Sequence, residues 1–112
     1  MRGKDVSRRI NKRITLYRPI TKYRPLGDPY TEMEAVNTVW AHAESISNRK
    51  IRTADQEQVI ETLRFTLRPR NDIDIDWLVE YRQRRFTVRA LDRNQPDRLI
   101  ITTEANIRHD RK

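Results

Sequence analysis

Polar and apolar residues alternate through most of residues 62–88, which read TLRFTLRPRNDIDIDWLVEYRQRRFTV. Three runs, 62–68, 73–82 and 85–91, each hold apolar residues at one parity and mainly charged residues or threonine at the other. A period of two is typical of a β-strand with one buried and one solvated face, whereas an amphipathic helix repeats every 3.6 residues. This stretch therefore predicts three strands that each have an apolar face and a charged face.

Three further strands are predicted outside this stretch. The first contains Ile14 and Leu16 and ends at Pro19, because proline cannot donate to a ladder. The second, residues 36–46, is rich in β-branched and aromatic residues. The last contains Leu99, Ile101 and Thr103.

Two connections stand out between these strands. Residues 19–33 contain three prolines and one glycine and predict a long first loop. Residues 47–58 lose the alternation, and Thr53 followed by Gln56 resembles a capping box, so this segment is predicted as a short helix or a projecting loop. The pattern predicts an all-β fold, a small antiparallel β-barrel or sandwich of about six strands.

The charge of the chain is concentrated in an N-terminal arm. The formal net charge is +8, and residues 1–24 alone hold nine basic side chains against one acidic side chain. Residues 25–112 hold fifteen of each sign and are formally neutral. We therefore divide the chain into a basic arm, residues 1–11, a single barrel domain, residues 12–104, and a polar C-terminal tail, residues 105–112. Such an excess of positive charge indicates an anionic partner such as nucleic acid.

The charged face of residues 62–88 has several interpretations. If its three runs are neighbours in an antiparallel meander, an acidic stripe lies between two arginine stripes, and opposite charges face each other across the strands. A solvated face that keeps the strands in register is the favoured interpretation. A nucleic-acid surface and a subunit interface are the alternatives.

Several functional classes find no support in the composition. The chain has no cysteine, which excludes a disulfide framework, a thiolate zinc site and a cysteine nucleophile. The sequence has neither an apolar run of membrane-spanning length nor a signal-peptide core, so we expect a soluble protein without a membrane partner.

Metal and catalytic sites are equally unsupported. Asp72, Asp74 and Asp76 imitate the start of a calcium loop, but Trp77 and Gln83 occupy the positions that require glycine and glutamate. The two histidines, His42 and His109, lie far apart in the sequence and assemble no triad or metal site. We predict no cofactor, no metal and no enzymatic activity.

The order of several short motifs resembles a known family. The motifs are INKRITLYRP at 10–19, TVWA at 38–41, TLRFTLR at 62–68 and WLVEYRQRRFTV at 77–88, followed by LDRNQPDRLIITTE at 91–104. Together they resemble the head-tail joining proteins of long-tailed bacteriophages, in the head-closure or stopper group. One departure is Gln83, which stands where such proteins often have glycine.

This resemblance implies a structural component of the phage neck. Such a protein forms a ring, of twelve copies in the family, below the portal and its adaptor protein. The ring closes the DNA-filled head, provides a docking surface for the tail terminator or other tail proteins, and lets double-stranded DNA pass on ejection. The implied location is the virion, with the host cytoplasm during assembly.

The resemblance also suggests site residues. In such proteins the segment corresponding to 47–58 projects toward the DNA channel or the ring above. Arg49, Lys50 and Arg52 are therefore candidate phosphate contacts that read no sequence. The candidates for subunit or adaptor contact are the arm cations and the body aspartates: Arg2, Lys4, Arg8, Arg9, Lys12, Arg13, Asp72, Asp74 and Asp76. The arm is alternatively a direct phosphate ligand. The alternative function is a monomeric β-barrel that binds nucleic acid through aromatics and a basic groove.

Overall fold

The protein is a closed six-stranded antiparallel barrel, which confirms the predicted all-β class. The computed structural model describes residues 10–53 and 56–109. The strands are β1 (Lys12–Tyr23), β2 (Pro29–Thr53), β3 (Gln56–Leu67), β4 (Leu78–Tyr81), β5 (Arg84–Asp92) and β6 (Leu99–His109). Around the barrel their order is β1-β2-β3-β6-β5-β4. Within the described ranges no helix is long and apolar enough to cross a membrane.

The core is formed by the apolar residues of the predicted alternation. It contains Ile14, Leu16, Ala41, Leu63, Phe65, Leu67, Ile73, Trp77, Val79, Phe86, Val88, Leu99 and Ile101. Phe65 lies at its centre, with its ring edge-on to Phe86 at 6.2 Å and to Tyr81 at 5.4 Å between ring centres. Because the barrel is closed, it leaves no unpaired sheet edge where β1 meets β4.

The prediction of a long first loop is wrong. β1 continues through Pro19 to Tyr23 and β2 begins at Pro29, so a turn of five residues joins them. Proline is tolerated because β1 has β4 as a second partner only at residues 15–17. Beyond Tyr17, β2 is its only partner among the described strands, and edge positions need no donor on the outer side.

The prediction of a short helix within residues 47–58 is also wrong, whereas the alternative of a projecting segment agrees with the structure. Residues 47–53 and 56–58 continue β2 and β3 as a hairpin that extends beyond the barrel. Thr53 and Gln56, which suggested a capping box, are paired in the strand ladder. The β-branched residues Ile51, Val59 and Ile60 favour the extended conformation over a helix.

The predicted strand 73–82 is shortened to β4. The backbone amide of Trp77 approaches the carbonyl of Asp74 at 3.4 Å, and Asp76 has a left-handed φ of 77°. These two features form a turn that ends the alternation, so Ile75 is half exposed although its parity predicts burial. Ile73 and Trp77 remain in the core.

The predicted meander is wrong in its strand order. β4 and β5 form the expected hairpin, but β3 pairs with β2 and β6, and β4 pairs with β1. Arg64 on β3 therefore faces Glu44 on β2, with 3.6 Å between the guanidinium and the carboxylate. β4 is not a neighbour of β3, so the predicted acidic stripe does not lie beside the arginines of β3. Alternation specifies which face of a strand is buried but carries no information about its neighbours.

The strand directions define two ends of the barrel. We call the end that carries the β2–β3 hairpin, the β4–β5 turn, the start of β1 and the end of β6 the hairpin end. The opposite end, with the β1–β2 turn and segments 68–77 and 93–98, is the loop end. At the loop end the guanidinium of Arg93 donates to the backbone carbonyl of Ile73 at 2.8 Å and ties the two segments together.

β2 must bend strongly, because a straight strand of its length would be longer than the molecule. Its 25 residues would span roughly 80 Å if straight, at about 3.3 Å per residue, whereas the molecule measures 51 × 39 × 24 Å. Two register shifts lie along it, one opposite Leu16 and Tyr17 and one between Ser45 and Ser47. Bulges of this kind bend and twist a strand.

Candidate functional site

The β2–β3 hairpin carries the three cations predicted to meet DNA, on two different faces. In the ladder Arg49 is opposite Ile60, Lys50 is opposite Val59, and Arg52 is opposite Glu57. Neighbouring strand residues point to opposite faces, so Lys50 and Arg52 share one face and Arg49 lies on the other.

The bulge at Ile46 decides this arrangement. Before it, Ala43 and Ser45 pair with Phe65 and Leu63 and so share the core-facing side. After it, Ser47 pairs with Thr62, so the even-numbered residues of β2 take over the core-facing side. The single extra residue thereby directs Lys50 and Arg52 to the side that continues the barrel interior.

The three cations of the hairpin differ in whether a carboxylate lies close enough to form an ion pair. The guanidinium of Arg52 lies 3.4 Å from the carboxylate of Glu57, which offsets its charge. Neither Arg49 nor Lys50 has a carboxylate within ion-pair distance among the described residues. The hairpin therefore offers an anion two exposed charges, one on each face.

The arginines of the adjacent β4–β5 turn are held by internal partners. Arg84 forms an ion pair with Glu61 of β3. Arg82 lies over the ring of Tyr81, with its Cζ 5.1 Å from the ring centre, and Arg85 lies in the same way over Tyr17 at 4.9 Å. These contacts make the turn part of the framework and reduce its availability to an outside anion.

Tyr17 is fixed in this framework from the other side. Its hydroxyl donates to the carboxylate of Glu80 at 2.8 Å, and this hydrogen bond raises the pKa of Tyr17 above the ordinary tyrosine value. The phenol is therefore a structural hydrogen-bond donor.

The arm cations Arg2, Lys4, Arg8 and Arg9 lie outside the described residues. Lys12 and Arg13 begin β1, where they pair with Ala41 and Trp40 of β2. The Cζ of Arg13 lies 4.7 Å from the centre of the Trp40 ring, a cation–π contact.

The structure places the three aspartates in different surroundings. Asp72 accepts two hydrogen bonds from Arg70, at 2.8 and 3.0 Å, and these bonds hold its pKa below the ordinary aspartate value. Asp74 accepts from the backbone amide of Ile75 at 2.7 Å. Asp76 lies 3.9 Å from Arg89 on β5. They do not form the continuous stripe that the alternation predicted.

A groove beside Trp40 was not predicted as a site. It lies where segment 68–70 separates from β2 after the last β3 pair, and its volume is about 360 Å³. Its lining residues are Thr38, Val39, Trp40, Leu67, Arg68, Pro69 and Arg70. Trp40 is 51% exposed, which is unusual for a tryptophan. The signal was present in the sequence, because Trp40 has the parity of His42 and Glu44.

The histidine and acidic side chains of the described residues are dispersed over the barrel. In residues 10–53 and 56–109 no group of three or more His, Cys, Asp or Glu side chains is placed to hold a metal ion. His42 lies on the outer face of β2, opposite Thr66, in a shallow depression shared with Glu44 and Arg98.

Solved structures share this fold. A chain in the virion of a native gene transfer agent particle superimposes with a TM-score of 0.66 at 15% identity, covering 88% of this chain and 96% of that chain. The protein SF1141 from Shigella flexneri 2a gives a TM-score of 0.65 at 19% identity, covering 85% and 91%. At these identities the likeness establishes the barrel fold alone.

Sequence comparison identifies the family. No curated protein matches the chain. The family model described as phage head completion protein, however, matches residues 7–107, which include all six strands except the last two residues of β6. The resemblance seen in the motifs at 10–19, 38–41, 62–68 and 77–88 is confirmed at this level, and the chain belongs to the phage head completion protein family.

Proposed function

We propose that this protein forms a ring in the neck of a tailed-phage particle, below the portal and its adaptor. The ring closes the filled head, docks the tail and lets DNA pass through its centre. Family membership makes the chain a structural component of the completed phage head, and it carries the proposal. The ring, its twelve copies, its adaptor and tail partners, and the DNA channel are the proposed refinements of that role.

The hairpin end is the side of the barrel that we assign to DNA. Arg49 and Lys50 lie there on the β2–β3 hairpin, whose β3 strand also pairs with β6, and β1 begins at the same end. Both side chains are positively charged, and contacts with phosphate alone would let any sequence slide past. The loop end is balanced by pairs such as Arg18–Glu34, Lys22–Glu32 and Arg24–Asp28.

The pairing of the body arginines favours a ring component over a monomeric nucleic-acid-binding barrel. Arg64, Arg84 and Arg89 on the outer surface each have a carboxylate within 4 Å. A surface neutralised in this way offers no continuous basic groove of the kind that tracks a nucleic-acid backbone. No catalytic role is proposed.

Cryo-electron microscopy of the full chain added to heads that carry portal and adaptor tests this function. We expect a ring coaxial with the portal, with the β2–β3 hairpins directed to the central axis. The alternative function would be established if the chain left the heads unchanged but bound duplex DNA as a monomer with a steep salt dependence. That result would contradict the assignment to the neck.

A further inference from the structure

Two exposed surface patches on the barrel have complementary chemistry. The first, which we call the tryptophan patch, consists of Trp40 with Arg13 and Arg68. Trp40 is 51% exposed, Arg13 lies over its ring, and Arg68 lines the same groove. Among the described residues neither arginine has a carboxylate within ion-pair distance. Tryptophan and arginine dominate the binding energy of protein interfaces.

The second, the isoleucine patch, consists of Ile75 between Asp74 and Asp76. Ile75 is 50% exposed at the tip of a turn. The backbone amide of Asp76 donates to the carbonyl of Val88 at 3.0 Å, so this turn is fastened to β5. A fixed turn presents an apolar side chain to a partner with little loss of conformational entropy on binding.

The strand order places the patches on opposite sides of the barrel. The tryptophan patch is centred on β2 and the isoleucine patch lies against β5. Around the barrel, β2 and β5 are three steps apart in both directions. Two different patches that meet between copies of one chain make a heterologous contact, and such a contact repeats around a ring when the rotation closes.

We infer that the isoleucine patch of one subunit docks in the tryptophan patch of the next. This inference rests on the proposed ring and names its subunit contact. Ile75 covers Trp40, while Asp74 and Asp76 face Arg13 and Arg68. Each patch joins an apolar centre to charges of one sign, and the two signs are opposite, which is the complementarity expected of a specific interface.

A second copy fits the tryptophan patch better than the basic arm does. Arm cations would meet Arg13 and Arg68, which repel them. The arm is also a weaker candidate for Asp72, because Arg70 already donates two hydrogen bonds to that carboxylate. Asp74 has no cation within ion-pair distance among the described side chains, and Asp76 has only Arg89, at 3.9 Å, which also lies 3.6 Å from Glu104.

Charge-swapped variants of the full chain test the contact. Arg68→Glu leaves the tryptophan patch with one cation, Arg13, and one anion. Asp74→Lys likewise leaves the isoleucine patch with one charge of each sign. Asp76 is left unchanged because its left-handed φ suits aspartate better than lysine. We expect either variant alone to form rings on adaptor-bearing heads about tenfold less well than the unmodified chain, and an equimolar mixture to recover assembly.

The controls separate this contact from folding and from the proposed function. Glu44→Lys makes the same charge change as Asp74→Lys but outside both patches, and it should assemble normally. Thermal unfolding checks that every variant is folded. Suppose that the unmodified chain forms rings, but the swapped variants form them equally well or the mixture shows no recovery. The inferred contact between the two patches is then wrong, while the proposed ring is still supported. If the unmodified chain forms no ring, both proposals fail.

Cross-linking gives an independent readout because the chain contains no cysteine. Thr38 lines the groove beside Trp40, and Arg89 lies 3.9 Å from Asp76, so both border the contact without forming its apolar centre. The double variant Thr38→Cys/Arg89→Cys, treated with a short bismaleimide after assembly on heads, should give a ladder of covalent oligomers. Each single variant should stay monomeric, and a mixture of the two should give dimers. Assembled rings of the double variant that release only monomers would overturn the contact.

Discussion

The hydroxyl of Thr103 donates a hydrogen bond of 3.0 Å to the backbone carbonyl of Leu63, on the neighbouring strand. Thr103 is fully buried and is the only polar residue in the core of the described ranges. A buried hydroxyl must find an acceptor, because an unpaired one loses its hydrogen bonds to water without replacement. The contact therefore fixes β6 against β3 inside the barrel.

Replacing Thr103 with valine should lower the free energy of unfolding by about 1 kcal/mol, since valine keeps the shape and loses only the hydrogen bond. Thr103→Ala should cost more, because it also removes a methyl group and leaves a cavity. Urea denaturation of the full chain measures both changes. A valine variant as stable as the unmodified chain would show that the hydrogen bond contributes nothing.

The β4–β5 turn is strained and should be improvable. Arg82 and Gln83 have φ values of 54° and 66°, so both central residues are left-handed, as in a type I′ turn. Asn-Gly suits that geometry, and the double change Arg82→Asn/Gln83→Gly should stabilise the protein by about 1 kcal/mol. Chemical denaturation checks this, with Gln83→Ala as the control that should bring no gain. A net loss would mean that the Arg82–Tyr81 contact outweighs the backbone strain.

The Arg70–Asp72 pair predicts a pH-dependent stability. Because Arg70 lowers the pKa of Asp72 in the folded state, the unfolded chain binds the proton more readily. The contribution is therefore present above about pH 4 and is lost as the pH falls through the folded value. Asp72→Asn should destabilise by about 0 to 1 kcal/mol at neutral pH, because the carboxylate is 47% exposed. The stabilities of the two proteins should converge as the pH falls through the folded-state pKa of Asp72, and a constant difference would contradict the assignment.

Neutralising the exposed hairpin cations should change how salt affects DNA binding. Each phosphate contact contributes about 0.9 to the slope of log affinity against log salt, so Arg49→Gln/Lys50→Gln should reduce the slope by about 1.8. Fluorescence anisotropy with a duplex of arbitrary sequence measures this. Lys22→Gln/Arg24→Gln, at the loop end, is the matched control and should leave the slope unchanged. Equal effects of both pairs would show that total charge, and no particular surface, controls binding.

Sequence alternation predicted the fold class and most of the core. The parity of Leu63, Phe65 and Leu67 correctly identified the buried face of β3, because burial of one face imposes a period of two. Strand order was not predictable in this way, since alternation is the same whichever neighbour a strand has. The extension of β1 through Pro19 was missed because the rule against proline applies to central strands and this part of β1 is an edge.

The candidate site was predicted only as a set of residues. The sequence indicated Arg49, Lys50 and Arg52 as a group, but their division between two faces depends on one extra residue at Ile46. A bulge has no sequence signature as clear as a glycine or proline turn. Ile75 was assigned to the core by parity, and only the left-handed backbone at Asp76 explains why it lies outside.

The strand order also determines when the barrel can close. β3 pairs with β6, about 40 residues later, and β1 pairs with β4, about 60 residues later, while residues close in sequence form only the hairpins. Closure must await synthesis of β6, and until then the long β2–β3 hairpin has an unpaired edge along β3. Loops of this length make closure slow, and an uncovered strand edge can pair with another nascent chain. Folding of this subunit is therefore most vulnerable to aggregation before β6 leaves the ribosome.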